Sequence, residues 1–149
     1  MGAYCSPNRN DANDENNDAF YNGHAVFDFA NIAPIGWHVP SDKEWTELEM
    51  CLGGSNIAGG KLKEVGTVHW VGPNTGADNS SGFNALPIGC RSGNDKCFYL
   101  RQGMAAYFWT ASNEICETLY RVLGSQFSDV NRFVDNVNYG MSVRCIKDE

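Results

Sequence analysis

Apolar and polar positions change texture several times along this chain. Residues 6–19 (SPNRNDANDENNDA) carry almost no apolar side chain and read as a surface loop, whereas 20–32 (FYNGHAVFDFANI) space aromatics regularly. Ser41 and Glu44 then stand at capping-box spacing: the Ser41 hydroxyl can accept from the Glu44 amide while the Glu44 carboxylate reaches back to the Ser41 amide. A helix is predicted to begin there, just after Pro40. Trp45, Leu48 and Leu52 make one apolar stripe on it, and Gly53 and Gly54 supply the stop. A second short helix is predicted over 58–65 with Leu62 and Val65 inward, although Gly59 and Gly60 each weaken it by about 1 kcal/mol.

Beyond Gly66, short aromatic or β-branched runs are separated by Gly, Asn, Asp and Ser. That texture predicts strands over 69–71, 97–101, 107–111, 119–123, 131–134 and 140–146. In the last of these Met141, Val143 and Cys145 share one face, with Ser142, Arg144 and Ile146 opposite. Helices early and antiparallel strands late make an α+β domain. The 149 residues suit one domain rather than two. Trp37, just before the capped helix in GWHVP, and Trp45, at the head of its stripe, are both expected in the core.

Composition narrows the function. The chain is 42% hydrophobic with four Trp, six Tyr and eight Phe, enough to build an aromatic-rich core, so wholesale disorder is excluded. Eleven Lys and Arg against 18 Asp and Glu leave a net charge of -7 with no basic stripe, and nucleic acid is not an expected partner. The polar first 18 residues give neither a signal peptide nor a membrane span. The cysteines at 5, 51, 90, 97, 116 and 145 form no C-x-x-C, and His24, His38 and His69 lie far from zinc-like spacing, so no structural zinc is expected. Six cysteines in so short a chain lean toward an oxidising compartment, but isolated buried thiols explain them as well, and the compartment stays open. Asp11, Asn13 and Glu15 alternate as in a calcium loop, yet Asn16 stands at the turn glycine and Asn22 at the closing glutamate. An EF-hand is excluded, calcium of another kind stays open, and no cofactor is required.

No G-x-S-x-G, H-E-x-x-H, Walker loop or dinucleotide fingerprint occurs, and the remaining Cys-His combinations, such as Cys51 or Cys116 with His38, are easily met by chance. The chain is not expected to be an enzyme.

Five stretches carry a resemblance: APIGWHVPSDKEW (33–45), LGGSNIAGGKLK (52–63), GPNTGADNSSGFNALPIGCRS (72–92), YFWTAS (107–112) and GMSVRCIKD (140–148), with AYCSPNRNDAN at the start. Together they resemble the Fibrobacter succinogenes major paralogous domain over nearly the whole chain. That family resembles the formylglycine-generating-enzyme branch of the C-type lectin fold. The resemblance implies two helices packed on a twisted, mostly antiparallel sheet. The cysteines here do not match the reactive pair of the enzyme branch, so the resemblance transfers a scaffold and not a reaction. It also implies a Cys5–Cys145 disulfide, because such folds bring the opening and closing strands together. Cys90 and Cys97 are not usual cysteines of the family, and their spacing around Ser92–Asp95 suits a bridged hairpin.

The same scaffold resembles the variable proteins of diversity-generating retroelements, whose substituted positions cluster on C-terminal strands and loops. The resemblance thereby implies an adhesin or receptor-binding module, on a cell surface or a phage tail fibre, with a protein or glycan ligand. A framework of Tyr120, Arg121, Leu123, Val130 and Arg132 separates idiosyncratic stretches at 113–118 and 133–138, and substitutions within 113–118, 124–128 and 133–139 are expected to change binding while barely changing folding. Tyr107, Trp109, Tyr120, Phe133 and Tyr139 are candidate aromatic anchors, and Glu114, Gln126, Asn131, Asp135, Asn136 and Asn138 candidate hydrogen-bonding contacts. For Tyr107 and Trp109 the competing reading is core, and for Asp135, Asn136 and Asn138 an ordinary solvated turn. Arg121, Arg132 and Arg144 are expected to tie the structure together through carboxylates or carbonyls. The alternatives are a structural module of a larger secreted lipoprotein and, third, a formylglycine-generating-like enzyme.

Overall fold

The computed structural model describes residues 1–5, 19–28, 32–92, 99–114 and 117–149. In chain order its elements are β1 (Tyr4–Cys5), β2 (Phe20–Asn22), α1 (Gly23–Val26), β3 (Trp37–His38), α2 (Asp42–Cys51), α3 (Ser55–Leu62), β4 (Cys90–Arg91), β5 (Tyr99–Leu100), β6 (Ala105–Glu114), β7 (Glu117–Gly124), β8 (Val130–Asp135), β9 (Gly140–Met141) and β10 (Ile146–Lys147). This is an α+β structure with three antiparallel sheets ordered β1-β2-β9-β4-β5, β10-β3 and β6-β7-β8.

The capping box forms as its spacing requires. Ser41 Oγ accepts from the Glu44 amide at 3.3 Å, and Glu44 Oε2 accepts from the Ser41 amide at 2.8 Å. Gly53 and Gly54, at φ +100° and +101°, then turn the chain out of α2. Next comes α3, which starts earlier than expected and ends at Leu62, so Val65 is exposed instead of inward. Its two glycines reflect packing and not weakness. A Cβ on Gly59 would sit 2.0 Å from the Asp129 carbonyl oxygen, and one on Gly60 2.3 Å from that of Gly76. The bare helix face lets the β7–β8 turn come close enough for the Gly60 amide to donate to the Ser128 carbonyl at 3.0 Å.

Two apolar clusters lie on either side of the β6-β7-β8 sheet. The first joins Trp45, Ala58 and Leu62 of the helices to Trp70, Ala106, Phe108, Leu123 and Val130. Its Trp45, Phe83 and Phe108 rings stand with centroids 5.4 to 5.8 Å apart. The second packs Val26, Val39, Cys90 and Met141 against Trp109 and Tyr120. Arg121, 1% exposed, crosses from β7 to α2: Nε donates to Glu49 at 2.7 Å and Nη1 to Asp42 at 2.6 Å. Arg132 Nε also donates to Asp42 at 2.9 Å, and Arg144 donates to the Phe83 carbonyl at 3.0 Å. The three arginines tie elements together as expected.

Several expectations need correction. Trp37 is not core: it is 41% exposed, because β3 pairs only with β10 in a two-stranded ribbon, and Val39 is the buried member of GWHVP. Residues 69–71 form no strand; Trp70 alone turns inward, donating from Nε1 to the Ala85 carbonyl at 3.0 Å. The run 140–146 divides into β9, a single bridge between Ser142 and Phe108, and β10. The expected Cys5–Cys145 disulfide is replaced by two free thiols. The opening strand β1 pairs with β2, which itself lies between β1 and β9, and Cys145 has already left that sheet for the ribbon. Cys90 is a buried free thiol; its expected bridge to Cys97 falls outside the described residues, as do Cys116 and the calcium-loop positions Asp11, Asn13 and Glu15.

Candidate functional site

Strand alternation sends Tyr107 and Trp109 of β6, Tyr120 and Val122 of β7, and Asn131, Phe133 and Asp135 of β8 to the sheet face away from α2 and α3. Cross-strand register places Tyr107 beside Val122 and Asn131, and Trp109 beside Tyr120 and Phe133. The rings follow: Tyr107 to Tyr120 is 6.2 Å between centroids, Tyr120 to Phe133 5.9 Å, and Trp109 meets Tyr120 edge-on at 5.8 Å. The far part of this face is covered by the second cluster. The near part opens as a cleft of about 330 Å³.

Four of the expected contacts meet there. Tyr107 and Asn131 line the cleft half-buried, and Gln126 and Phe133 border it from exposed positions. Tyr120 stacks behind them, 9% exposed. The others go elsewhere. Trp109 is fully buried and donates from Nε1 to the Tyr21 carbonyl at 2.7 Å, so its core reading holds. The backbone of Glu114 pairs with Glu117 at the hairpin end, away from the cleft. Asp135 accepts from the Asn136 amide at 2.7 Å and Asn136 from the Asn138 amide at 2.9 Å, a self-bonded turn. Tyr139 packs on the second cluster.

Burial pushes the Tyr120 hydroxyl up to about 12, with Asp135 adding to the shift. It also raises Tyr107, where Cys90 adds and Arg101 opposes. Both phenols are thus neutral donors near neutral pH. The Cys90 thiol behind them is pushed up to about 11, first by burial and then by Asp135.

Sequence reasoning included Ser125 and Phe127 only as members of the 124–128 stretch and missed Arg101 altogether; all three also line the cleft. Phe127 could have been noticed as a lone ring in the polar run SQFSD. It missed Lys63 as well, a residue with no exposed surface. Its Nζ donates to the carbonyls of Thr75 at 2.9 Å, Gly124 at 3.0 Å and Phe127 at 2.7 Å, and stands 5.4 Å from the centre of the Trp70 ring. Burial takes its pKa down to about 8 against the opposing pull of Asp129. Three charge-assisted bonds and the ring face replace the water this ammonium has lost.

The sequence model of the Fibrobacter succinogenes major domain family matches residues 1–147. The chain belongs to this family. The match runs through every element from β1 to β10, so the helical layer and the cleft are both parts of the major domain. Neither the curated proteins nor the solved structures returned a match. Among the described residues of the major domain no three His, Cys, Asp or Glu side chains gather as metal ligands, and no helix is long and apolar enough to cross a membrane.

Proposed function

We propose that this major domain is a non-catalytic binding module that takes a protein or glycan ligand on the outer face of the β6-β7-β8 sheet. The observation that carries the reading is the cleft itself. Two strands and a turn deliver one half-buried ring, two exposed rings and two amides to a single concavity. Exposed Phe133 and Gln126 have no core to serve, which suits contact with a partner. The buried, hard-to-ionise Cys90 thiol favours binding over cysteine chemistry.

The arrangement is in our reading C-type lectin-like. Two helices against an antiparallel sheet, and N-terminal strands β2 and β3 paired with C-terminal β9 and β10, agree with that scaffold. We further infer display outside the cell or on a virion, as part of a cell-surface or tail-fibre protein, with residues 113–118, 124–128 and 133–139 as the varied segments. Calcium is an optional addition and not a requirement. Arrays of glycans and surface proteins, probed with the wild-type domain and with Phe133→Ala and Gln126→Ala, test the reading. Binding that falls at least tenfold in both variants with unchanged melting supports it; binding indifferent to both removes the cleft as the site. A neighbouring reverse transcriptase gene with a near-copy of the final coding segment would support diversification.

A further inference from the structure

Arg101 stands at the lip of the cleft, exposed, on a chain whose net charge is -7. The other arginines among the described residues are engaged: Arg121 and Arg132 with carboxylates, Arg144 with the Phe83 carbonyl and ring, and Arg91 with a partner of its own. Among the described residues the Arg101 guanidinium makes no hydrogen bond or ion pair. Its backbone is held at φ +64°, with its carbonyl accepting from the amides of Met104 at 2.9 Å and Ala105 at 3.0 Å. A non-glycine residue in the left-handed region is uncommon and carries strain, and such strain gathers where a side chain must be presented. A second feature points into the same space. Ser125 lines the cleft, is 1% exposed, and its Oγ has no protein partner. A buried hydroxyl of this kind is satisfied by a ligand that brings its own polar group.

Resting on the binding-module reading above, we propose that the cleft takes a glycan ending in one acidic sugar, its carboxylate on Arg101 and its ring against Tyr107 and Phe133. A guanidinium matches a carboxylate in shape and charge. Sugar rings present flat C–H faces to aromatic side chains and hydroxyls to the amides of Gln126 and Asn131. A single guanidinium at the lip of the cleft suits a single carboxylate; a run of acidic residues in a peptide would meet repulsion from the acidic chain beyond it. The volume, at the small end for ligand sites, also fits a ring better than an extended peptide.

The test uses oligosaccharides capped by one glucuronate or one sialate, their carboxyl-reduced counterparts, and glutamate-containing peptides, titrated against wild type, Arg101→Gln and Phe133→Ala. We expect a capped acid to bind and its reduced form to bind at least tenfold more weakly. Arg101→Gln should lose the acid preference while melting as wild type does, because glutamine bears the same left-handed backbone and no hydrogen bond or ion pair to the described residues is removed. Equal binding of acid and reduced forms, an acid preference that survives Arg101→Gln, or failure of every capped acid to bind overturns the proposal. If a neutral glycan or a peptide binds instead and Phe133→Ala weakens it, the cleft reading stands and only the acidic sugar falls. If whatever binds ignores Phe133→Ala, the cleft reading falls too.

Discussion

Arg121 of β7 and Glu49 of α2 share a buried ion pair, Nε to Oε1 at 2.7 Å, that joins the middle strand of the sheet to the helix behind it. Such a pair adds little net stability over an apolar contact, but breaking it strands a charge. Arg121→Ala leaves Glu49 buried and Asp42 without its closest cation, and should cost about 3–5 kcal/mol. Urea unfolding measures it. A loss below about 1 kcal/mol would mean that water reaches Glu49 and that the pair is not what holds the layers together.

Gly59→Ala reverses an intuition drawn from helix propensity. Alanine favours a free helix by about 1 kcal/mol over glycine. Here its methyl would stand 2.0 Å from the Asp129 carbonyl oxygen, so α3 or the β7–β8 turn must move. A net loss of about 1–3 kcal/mol is expected, as for other overpacked sites. A raised melting temperature would show that the turn yields freely.

The two early tryptophans should part company. Trp45→Ala empties the centre of the first cluster and should cost about 3–5 kcal/mol. Trp37→Ala, on the exposed ribbon, should stay within about 1 kcal/mol of wild type. Equal losses in thermal unfolding would place Trp37 back in the core.

Acid should loosen the start of α2. Burial alone would raise the Glu44 carboxyl, but hydrogen bonds from the Ser41 hydroxyl and amide and from His38 bring it from 4.5 down to about 2. The unfolded chain therefore takes up this proton more readily than the folded one. The stabilisation is full above pH 4.5 and is lost as pH falls toward 2. His38, raised by its bonds to Asp148 and Glu44, runs the other way: its contribution is full below 6.5 and fades as pH climbs through its raised value. Glu44→Gln should flatten the acid limb of urea midpoint against pH. An unchanged acid limb would mean that other carboxylates govern it.

Local chemistry was the readable part of this sequence. The Ser41 cap, the Trp45 stripe, the paired glycines after α2 and the long strands near YFWTAS and LYRVL rest on near neighbours, and the structure contains them all. What could not be read depends on partners distant in sequence. Gly59 and Gly60 look like weak helix until Asp129 and Gly76 are set against them. Trp37 looks like core until the ribbon leaves it uncovered, and Cys5 looks like a partner for Cys145 until β2 lies in between. At the cleft, the resemblance to retroelement variable proteins and the residue types pointed to Tyr107, Asn131 and Phe133, whereas Arg101 arrives from a separate turn whose place on the sheet no local pattern encodes.

Lys63 gives the β7–β8 turn an unusual freedom. Its ammonium grips oxygen atoms of Thr75, Gly124 and Phe127 that belong to the peptide chain and not to side chains. Every amino acid carries that oxygen. Replacing Phe127 therefore changes what the turn offers to a partner while leaving the oxygens that Lys63 holds in place, and replacing Gln126 gives up only one exposed bond, to the Gly72 carbonyl at 3.3 Å, so this corner of the cleft can be rewritten without being refolded.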